Sequence, residues 1–332
     1  MRVLWVHNTP AHIESACPFI FILADEMRSQ GIHVDLYSTG SLRGFARLNS
    51  VRRDVTHRSH DYDLVHAQFG SACAHVSART PCRRIVSLRG TDLLGCDTGS
   101  AWWRLHGWAA RRLTRQSLPS YQRVLVMSHR MRDELSRYHG RCAGVEVLPD
   151  GIDLQQFQPR ERMAARRELG FSDDTRPWIL FASLKSCNPV KRSGLAKAAF
   201  ERAAAQRPDV VLQTISGKPH DEIPLWMSAA NVLLMTSTRE GWPNVVKEAL
   251  ACNVPFVSTN VSDLSRITAV EPSCVVADAN PDKLAQGILT ALETPPSKPL
   301  QNYVASMALP KIARQLTAIY HDTLQKASPI AA

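Results

Sequence analysis

The sequence lacks long apolar runs, and none approaches the ~20 residues that a transmembrane helix needs. Its first residues, MRVLWVHNTPAHIES, contain too few apolar residues and reach polar ones too early for a signal peptide. They are typical of a first β-strand instead. We therefore expect a cytoplasmic protein that does not span a membrane.

Motifs for metal binding are also missing. The eight cysteines are spread along the chain without a C-x-x-C pair, and no group of histidines and cysteines has zinc spacing. No D-x-D triplet stands where a metal-binding loop is expected. We predict that most cysteines are small buried residues without disulfides, and that the protein needs no metal and no other cofactor.

The composition, with 44% hydrophobic and 21% charged residues, is that of a globular protein. The length of 332 residues leaves room for two domains. The formal net charge is +10, and much of it comes from arginine in the first half. That charge is compatible with an anionic substrate, an anionic membrane surface or nucleic acid. No nucleic-acid-binding motif accompanies it, so we expect no nucleic-acid partner.

Strand-like and helix-like patterns alternate from end to end, which predicts parallel sheets covered by helices on both faces. A domain boundary is expected in PDGIDLQQFQP, residues 149–159, which is rich in turn residues and bracketed by prolines. The helices are predicted at 18–30, 71–79, 100–118, 129–138, 193–206, 223–230, 243–252, 281–292 and 310–326.

Glu240 and Glu248 are the most informative residues, eight positions apart in TSTREGWPNVVKEALACNVPFVST. Residues 243–252 should form a helix, since Pro stands at its start and apolar residues recur at helical spacing. Glu240 then precedes the helix N-terminus, whose backbone N–H groups and dipole attract phosphate. Carboxylates beside such a helix end suit a nucleotide-sugar, although two glutamates near a helix are also common without any such function.

This stretch, with its lead-in LWMSAANVLLMTS and its exit NVPFVSTNVSDL, resembles the E-x7-E region of retaining GT-B glycosyltransferases, especially family 4. The similarity continues more weakly over nearly the whole chain. PDGIDLQQFQP resembles the family connector P-N-G-V/I-D-x-x-x-F-x-P, with Asp150 in place of Asn. Typical members have Gly where this chain has Asn253, and often a Gly-rich turn where it has Ser262 and Asp263.

The resemblance implies an α/β protein of two facing Rossmann-like domains (the GT-B fold) with parallel sheets. Residues 1–153 would form the N-terminal, acceptor-side domain, and residues 154–309 the C-terminal nucleotide-sugar domain. Residues 310–332 would form a helix that packs back on the first domain.

The resemblance also implies a donor site in the second domain. Glu240 would hold the donor sugar and Glu248 the ribose. The backbone that follows Glu240 would contribute donor contacts through Gly241, Trp242, Pro243, Asn244 and Val245.

The segment FASLKSCNPVKRSGLAKAAF resembles the family's G-R-x…K-G…A-F segment, in which two basic residues bind the diphosphate. Lys191 takes the Lys position, Lys185 takes the earlier basic position, and Arg192 stands where Gly is usual. Two cations would stabilise the charge that grows on the leaving diphosphate, each by about 2–4 kcal/mol. A solvated basic loop is the alternative.

SLRGTDLLG resembles the family's H-G-x-D element, which faces the donor sugar, with Arg89 in place of His. Arg cannot act as a base, so we expect it to contact phosphate or sugar. Asp92 is expected to orient Arg89, to bind an acceptor hydroxyl or to cap the next turn. His66, at another strand end, is either an acceptor-side residue or a core histidine, and the family often has a second His at the Gln68 position.

The N-terminal loop HNTPAHIESACPF departs most clearly from the family, whose members usually have a Gly-Gly turn there. Ser15 and the N-terminus of the following helix would still bind an anion.

Residues 101–115, AWWRLHGWAARRLTR, interleave three tryptophans with four arginines. An amphipathic helix of this kind either rests in a membrane interface or is simply packed with its arginines in water. The first alternative predicts binding to anionic vesicles that salt weakens.

The resemblance implies a retaining hexosyltransferase-type enzyme that moves a sugar from a UDP- or GDP-sugar to a hydroxyl acceptor. The acceptor would be a glycan, a lipid-linked molecule or a small molecule, as in bacterial polysaccharide or glycolipid biosynthesis. The leading alternative is a catalytically degenerate relative that binds a nucleotide-sugar or a partner glycosyltransferase. A basic nucleic-acid-binding protein is favoured only by the net charge.

Overall fold

A computed structural model describes residues 1–9, 17–40, 42, 45–95, 100–139, 144–182 and 189–325. The chain divides into two compact units, one comprising Met1–Gly151 with Leu309–Ala332 and the other Ile152–Ala308. The division lies within the PDGIDLQQFQP segment, two residues before the boundary expected from the sequence.

The first unit is built on a six-stranded, wholly parallel sheet in the order β2-β1-β3-β4-β5-β6. Its strands are β1 Arg2–His7, β2 His33–Ser38, β3 Leu64–Ala67, β4 Arg83–Leu88, β5 Arg123–Val126 and β6 Val145–Val147. The inner strands β1 and β3 are almost wholly buried, whereas β2 and β6 at the two edges are mostly only partly buried.

Helices cover both faces of this sheet, as the alternation of side chains along β1 requires. The helices of the unit are α1 Pro18–Ser29, α2 Phe45–Arg58, α3 Ser71–Ser77, α4 Thr91–Leu94, α5 Ala101–Ser117, α6 His129–His139 and α13 Leu309–Gln325. Trp5 packs with α1 and α13 on one face, whereas Leu4 and Val6 pack with α2 and α3 on the other. The C-terminal helix therefore belongs to the core of the first unit.

The second unit repeats the theme with a five-stranded parallel sheet in the order β11-β10-β9-β7-β8. Its strands are β7 Trp178–Ala182, β8 Val211–Ile215, β9 Val232–Met235, β10 Phe256–Thr259 and β11 Val275–Ala277. Its helices are α7 Arg162–Glu168, α8 Ser193–Gln206, α9 Ile223–Ala229, α10 Asn244–Ala251, α11 Leu264–Thr268 and α12 Pro281–Glu293. The small residues Ala196 and Ala199 of α8 pack beside Leu284 and Ile288 of α12 in its core.

The predicted α/β class with two parallel-sheet domains is confirmed. Within the described ranges, the prediction missed four helices, of which α2 is the longest. Its sequence, FARLNSVRRDVTHR, is rich in arginine, but Val51 and Val55 are buried one turn apart and would have revealed its apolar face. None of the helices among the described residues is long and apolar enough to cross a bilayer.

Candidate functional site

The loop between β9 and α10 carries Glu240 at the carboxyl end of the second sheet. The helix begins at Asn244, one residue later than predicted, because Pro243 keeps an extended conformation (ψ 115°) at the N-cap. Trp242 and Pro243 are buried, whereas Glu240 and Asn244 are only partly covered. The carboxylate therefore stands beside a helix N-terminus, where backbone N–H groups and the dipole favour an anion.

Lys191 and Glu240 meet although they are 49 positions apart in the chain. The Lys191 ammonium lies 2.6 Å from Oε1 of Glu240, and the two side chains are 23% and 20% exposed. A lysine has three donors and a carboxylate has two acceptor oxygens, so the contact leaves hydrogen-bonding capacity on both groups. Two of the predicted donor-site residues thus form one polar cluster.

Arg192 holds this arrangement in place. Its backbone is left-handed (φ 49°, ψ 55°), and its guanidinium donates to the carbonyls of Thr236 at 2.6 Å and Ser237 at 3.0 Å. The Thr236 hydroxyl donates back to the carbonyl of Lys191 at 2.7 Å. The segment that carries Lys191 is therefore clasped to the loop that carries Glu240.

Positions where the resembling family has glycine keep the backbone that glycine favours. Asn253 has φ 61° and Ser262 has φ 54°, like Arg192. The Asn253 side chain accepts from the backbone N–H of Leu300 at 2.9 Å, and the Ser262 hydroxyl donates to the carbonyl of Gly241 at 2.6 Å. Each non-glycine residue thus makes a side-chain hydrogen bond that offsets part of its backbone strain.

Three polar side-chain atoms near Glu240 have no hydrogen-bond partner within the described ranges: Oγ of Ser237, Oγ1 of Thr238 and Oδ1 of Asn244. Buried polar atoms are almost always paired in folded proteins, so these atoms of the loop and of the first residue of α10 have hydrogen-bonding capacity for a ligand. Hydroxyl groups of a ligand would pair with all three atoms, whereas phosphate would pair only with the hydroxyls of Ser237 and Thr238.

Glu248 lies in the second turn of α10, and its carboxylate is 3.9 Å from Nε2 of His220. The amide of Gln156 lies 3.5 Å from the other ring nitrogen of His220. The sequence interpretation missed His220. Its position after β8, at the carboxyl end of a parallel strand, was the signal that could have identified it.

Arg89 is held inside the first unit by residues that follow β3 and β6 and by a residue of α1. Its guanidinium donates to both the carbonyl and the side-chain oxygen of Gln68 at 2.8 Å, and it pairs with Asp150. The same group lies 4.6 Å from the centre of the Phe19 ring. Arg89 and Asp150 are each only 9% exposed, so the ion pair is nearly removed from solvent.

His66 lies in the interior of the first unit. Its Nδ1 is 2.6 Å from the hydroxyl of Tyr320 on α13, and its Nε2 is 2.9 Å from the hydroxyl of Ser87. Burial, with a smaller effect of the nearby Arg89 cation, lowers the pKa of His66 well below its usual value. The neutral ring thereby connects the C-terminal helix to the sheet, and an acceptor-side role for it stays a prediction.

Asp92 is buried and accepts backbone hydrogen bonds around its own loop. Its carboxylate receives the N–H groups of Gly70, Arg89, Gly90 and Leu93 at 2.8–3.1 Å. It therefore fixes the backbone that presents Arg89, and direct contact with an acceptor stays a prediction. Ser15 and Lys185, two other predicted phosphate ligands, lie outside the described residues.

Comparison with known families agrees with this geometry. A model described as Glycosyltransferase Family 4 matches residues 41–156, and one described as Glycosyl transferases group 1 matches residues 192–294. The chain belongs to the family 4 (group 1) glycosyltransferases. The second match includes Arg192, Glu240 and Glu248 and begins one residue after Lys191.

Two curated members of the family are similar in sequence. The chain is 25% identical to the putative teichuronic acid biosynthesis glycosyltransferase TuaC of Bacillus subtilis, over 72% of this chain and 64% of TuaC. It is 26% identical to D-inositol 3-phosphate glycosyltransferase 2 of Catenulispora acidiphila, over 54% of this chain and 50% of that protein. The chain thus spans between half and two thirds of the length of these relatives.

Two solved structures share the fold. Sucrose-phosphate synthase from Thermosynechococcus elongatus has a TM-score of 0.81 at 16% identity, covering 97% of this chain and 98% of that one. HepE of Anabaena, in complex with UDP and glucose, has a TM-score of 0.74 at 14% identity, covering 97% and 100%. These likenesses confirm the predicted GT-B fold.

Proposed function

We propose that this family 4 glycosyltransferase transfers a sugar from a nucleotide-sugar to a hydroxyl acceptor, with retention at the anomeric carbon. The observation that carries the proposal is the contact of Lys191 with Glu240 beside the N-terminus of α10. It joins a cation for phosphate and a carboxylate for hydroxyls in one place. A UDP- or GDP-sugar is the proposed donor, and HepE has been crystallised with UDP-glucose.

Each residue has a chemical task in this proposal. Lys191, together with Lys185, binds the diphosphate and stabilises the negative charge that develops as the bond from the sugar to the phosphate oxygen breaks. Glu240 and the backbone of residues 241–245 bind the donor sugar. Glu248 accepts a hydrogen bond from the ribose. Fixing the donor in this way lowers the entropic part of the barrier.

Retention requires that the acceptor oxygen attack the same face that the diphosphate leaves. In that mechanism the bond from the anomeric carbon to the acceptor oxygen forms as the bond to the diphosphate oxygen breaks. The proton of the acceptor hydroxyl passes to the leaving phosphate oxygen. The product is a glycoside with the configuration of the donor, plus a nucleoside diphosphate.

The acceptor is proposed to be a glycan, a lipid-linked molecule or a small hydroxyl compound, bound with help from the first unit. TuaC is named for teichuronic acid biosynthesis, which supports a role in polysaccharide or glycolipid synthesis.

We place the protein on the cytoplasmic side of a membrane, as a peripheral protein without a nucleic-acid partner. Metal-independent transfer is proposed because the Lys191 ammonium provides a cation at the proposed diphosphate site.

Donor turnover by purified variants tests the site assignments. Glu240→Ala and Lys191→Ala should each lower kcat/KM at least tenfold, because each removes a contact to the donor. Lys197→Ala is the matched control, since Lys197 forms an exposed ion pair with Glu201 on α8 of the same unit. Near-normal rates in both site variants, or an equal loss in the control, would refute the assignments.

A second candidate function is favoured by one observation. Arg89, at the position of the family's His, is occupied by Asp150 and Gln68. A protein in which Arg89 is held by Asp150 and Gln68 would bind a nucleotide-sugar without transferring the sugar. Hydrolysis of the donor or glycosyl transfer by the purified protein excludes this alternative.

A further inference from the structure

Helix α5 presents large apolar side chains to solvent. Trp102, Leu105 and Trp108 are 58%, 63% and 53% exposed, and Trp103 is 38% exposed. Elsewhere among the described residues, only Phe171 and Val270 are comparable large apolar side chains. The exposed apolar surface is therefore concentrated on one helix.

The large apolar residues of α5 lie on its exposed side and not on the side that packs against the rest of the unit. The residues of this helix that are buried are small or hydroxylated: Gly107, Thr114 and Ser117. A helix that packs by an amphipathic face buries its large apolar side chains instead. The interpretation of 101–115 as a simply packed helix thus fails to account for the tryptophans.

The surroundings of α5 are strongly cationic. The helix contains Arg104, Arg111, Arg112 and Arg115 and no acidic residue. α3 contacts both α5 and α2, so the three helices form one layer of the first unit. α2 adds the exposed arginines 47, 53 and 58, and its only acid, Asp54, is hydrogen-bonded to Arg58 and Tyr37.

We propose that this layer docks on an anionic lipid bilayer, with Trp102, Leu105 and Trp108 inserted into the interface. Tryptophan favours the interfacial region, and arginines beside it reach phosphate headgroups while their stems stay against apolar surface. Weak apolar insertion and electrostatic attraction together give stable, reversible binding, where one alone is marginal. The charge favours an anionic lipid surface over a neutral one.

This proposal deepens the peripheral location given above and does not depend on the donor site. It specifies which surface meets the membrane and that two separable contributions act there. Removing three arginines should weaken binding about 100-fold, at about fivefold for each basic residue near the surface. Replacing the three inserted side chains by serine should weaken binding at least tenfold.

The test is co-sedimentation of the full chain with vesicles of 30% phosphatidylglycerol in phosphatidylcholine, and of phosphatidylcholine alone. The apolar variant is Trp102→Ser/Leu105→Ser/Trp108→Ser, and the charge variant is Arg104→Gln/Arg112→Gln/Arg115→Gln. All six positions are exposed, so both variants should fold. The charge control is Lys197→Gln/Arg202→Gln/Lys283→Gln, exposed cations of the second unit, and Val270→Ser is the apolar control.

We expect the parent and both controls to bind anionic vesicles at 0.1 M salt and to dissociate at 0.5 M salt, and both α5 variants to bind weakly. Lack of binding by the parent, equal binding to neutral vesicles, or equal weakening by the controls overturns the proposal. So does self-association of the parent through α5 without vesicle binding, measured by sedimentation velocity. Nucleoside diphosphate affinity should be unchanged in the α5 variants, so the donor-site proposal fails or survives separately.

Discussion

Arg89 and Asp150 form a nearly buried ion pair inside the first unit, 61 positions apart in the chain. The resembling family has His at the first position and Asn at the second. Two departures from the family pattern are therefore one structural change, because a buried guanidinium requires a carboxylate and a buried carboxylate requires a cation. Gln68, a third departure, accepts two hydrogen bonds from the same guanidinium.

Breaking this pair from either side should be costly. Asp150→Asn or Arg89→His alone leaves one charge uncompensated in the interior, and we expect a loss of about 3 kcal/mol in the free energy of unfolding. The double variant, which recreates the family pattern, should lose much less than the sum of the two. Urea unfolding of the four proteins measures this coupling, and additive losses would contradict it.

A second prediction concerns the backbone conformation of Arg192. Arg192→Gly loses the two hydrogen bonds to Thr236 and Ser237 but removes the left-handed strain, whereas Arg192→Ala loses the hydrogen bonds and keeps the strain. The Gly variant should therefore be more stable than the Ala variant by about 1 kcal/mol.

The control for that comparison is Lys197, an exposed residue inside α8. There the order should reverse, with Ala more stable than Gly by about 1 kcal/mol, because helix propensity decides. Thermal unfolding of the Gly and Ala variants at positions 192 and 197 measures which of the two is more stable at each position. An Ala variant at position 192 as stable as the Gly variant would show that strain at this residue is negligible.

Glu271 predicts a specific pH dependence. Burial by itself would raise the pKa of this carboxyl, but hydrogen bonds from Ser297 and Ser273 outweigh it and lower the pKa below its usual value. Because the unfolded chain then binds the proton more readily, the contribution to stability is complete above about pH 4.5. It is lost as the pH falls through the lower folded pKa.

Urea unfolding of the parent and of Glu271→Gln between pH 3 and 7 tests the direction of this pKa shift. The difference in unfolding free energy between parent and variant should be constant from about pH 5 to 7 and shrink below about pH 4.5. Glu201→Gln, at an exposed position, corrects for the general effect of removing a carboxylate. A difference that grows on acidification would mean that the folded pKa is raised.

Metal independence gives a prediction for turnover. If Lys191 binds the donor diphosphate as proposed, excess EDTA should leave donor turnover unchanged, because the ammonium supplies positive charge that a divalent cation would otherwise supply. Activity measured before and after dialysis against the chelator checks this. A loss that added Mg²⁺ or Mn²⁺ restores would show that the protein uses a metal.

Much of the fold could be predicted because buried parallel strands are continuous apolar runs. Lys191 and Glu240 were assigned to one donor site by the resemblance to the family, and they meet because β7 and β9 are neighbouring parallel strands whose carboxyl ends share one edge. Helix α2 was not predicted because its sequence is rich in arginine and its apolar face is narrow.

Contacts between distant positions could not be predicted in this way. The ion pair of Arg89 with Asp150 and the left-handed backbone of Arg192 were visible only as departures from a family pattern. Their meaning depends on which side chains surround them, and one sequence contains no information on that pairing. The outward orientation of Trp102 and Trp108 is similar, because helical spacing alone does not say which face of α5 meets the core.

Calorimetric titration with UDP, GDP, ADP and TDP tests the central claim most directly, since the proposed site must bind the diphosphate of its donor. We expect one of the four nucleotides to bind with 1:1 stoichiometry, Lys191→Ala to weaken its affinity at least tenfold, and Lys197→Ala to leave it unchanged. Binding of none of the four, or equal affinity in Lys191→Ala, would contradict the assignment of a nucleotide-sugar site to Lys191, Glu240 and Glu248.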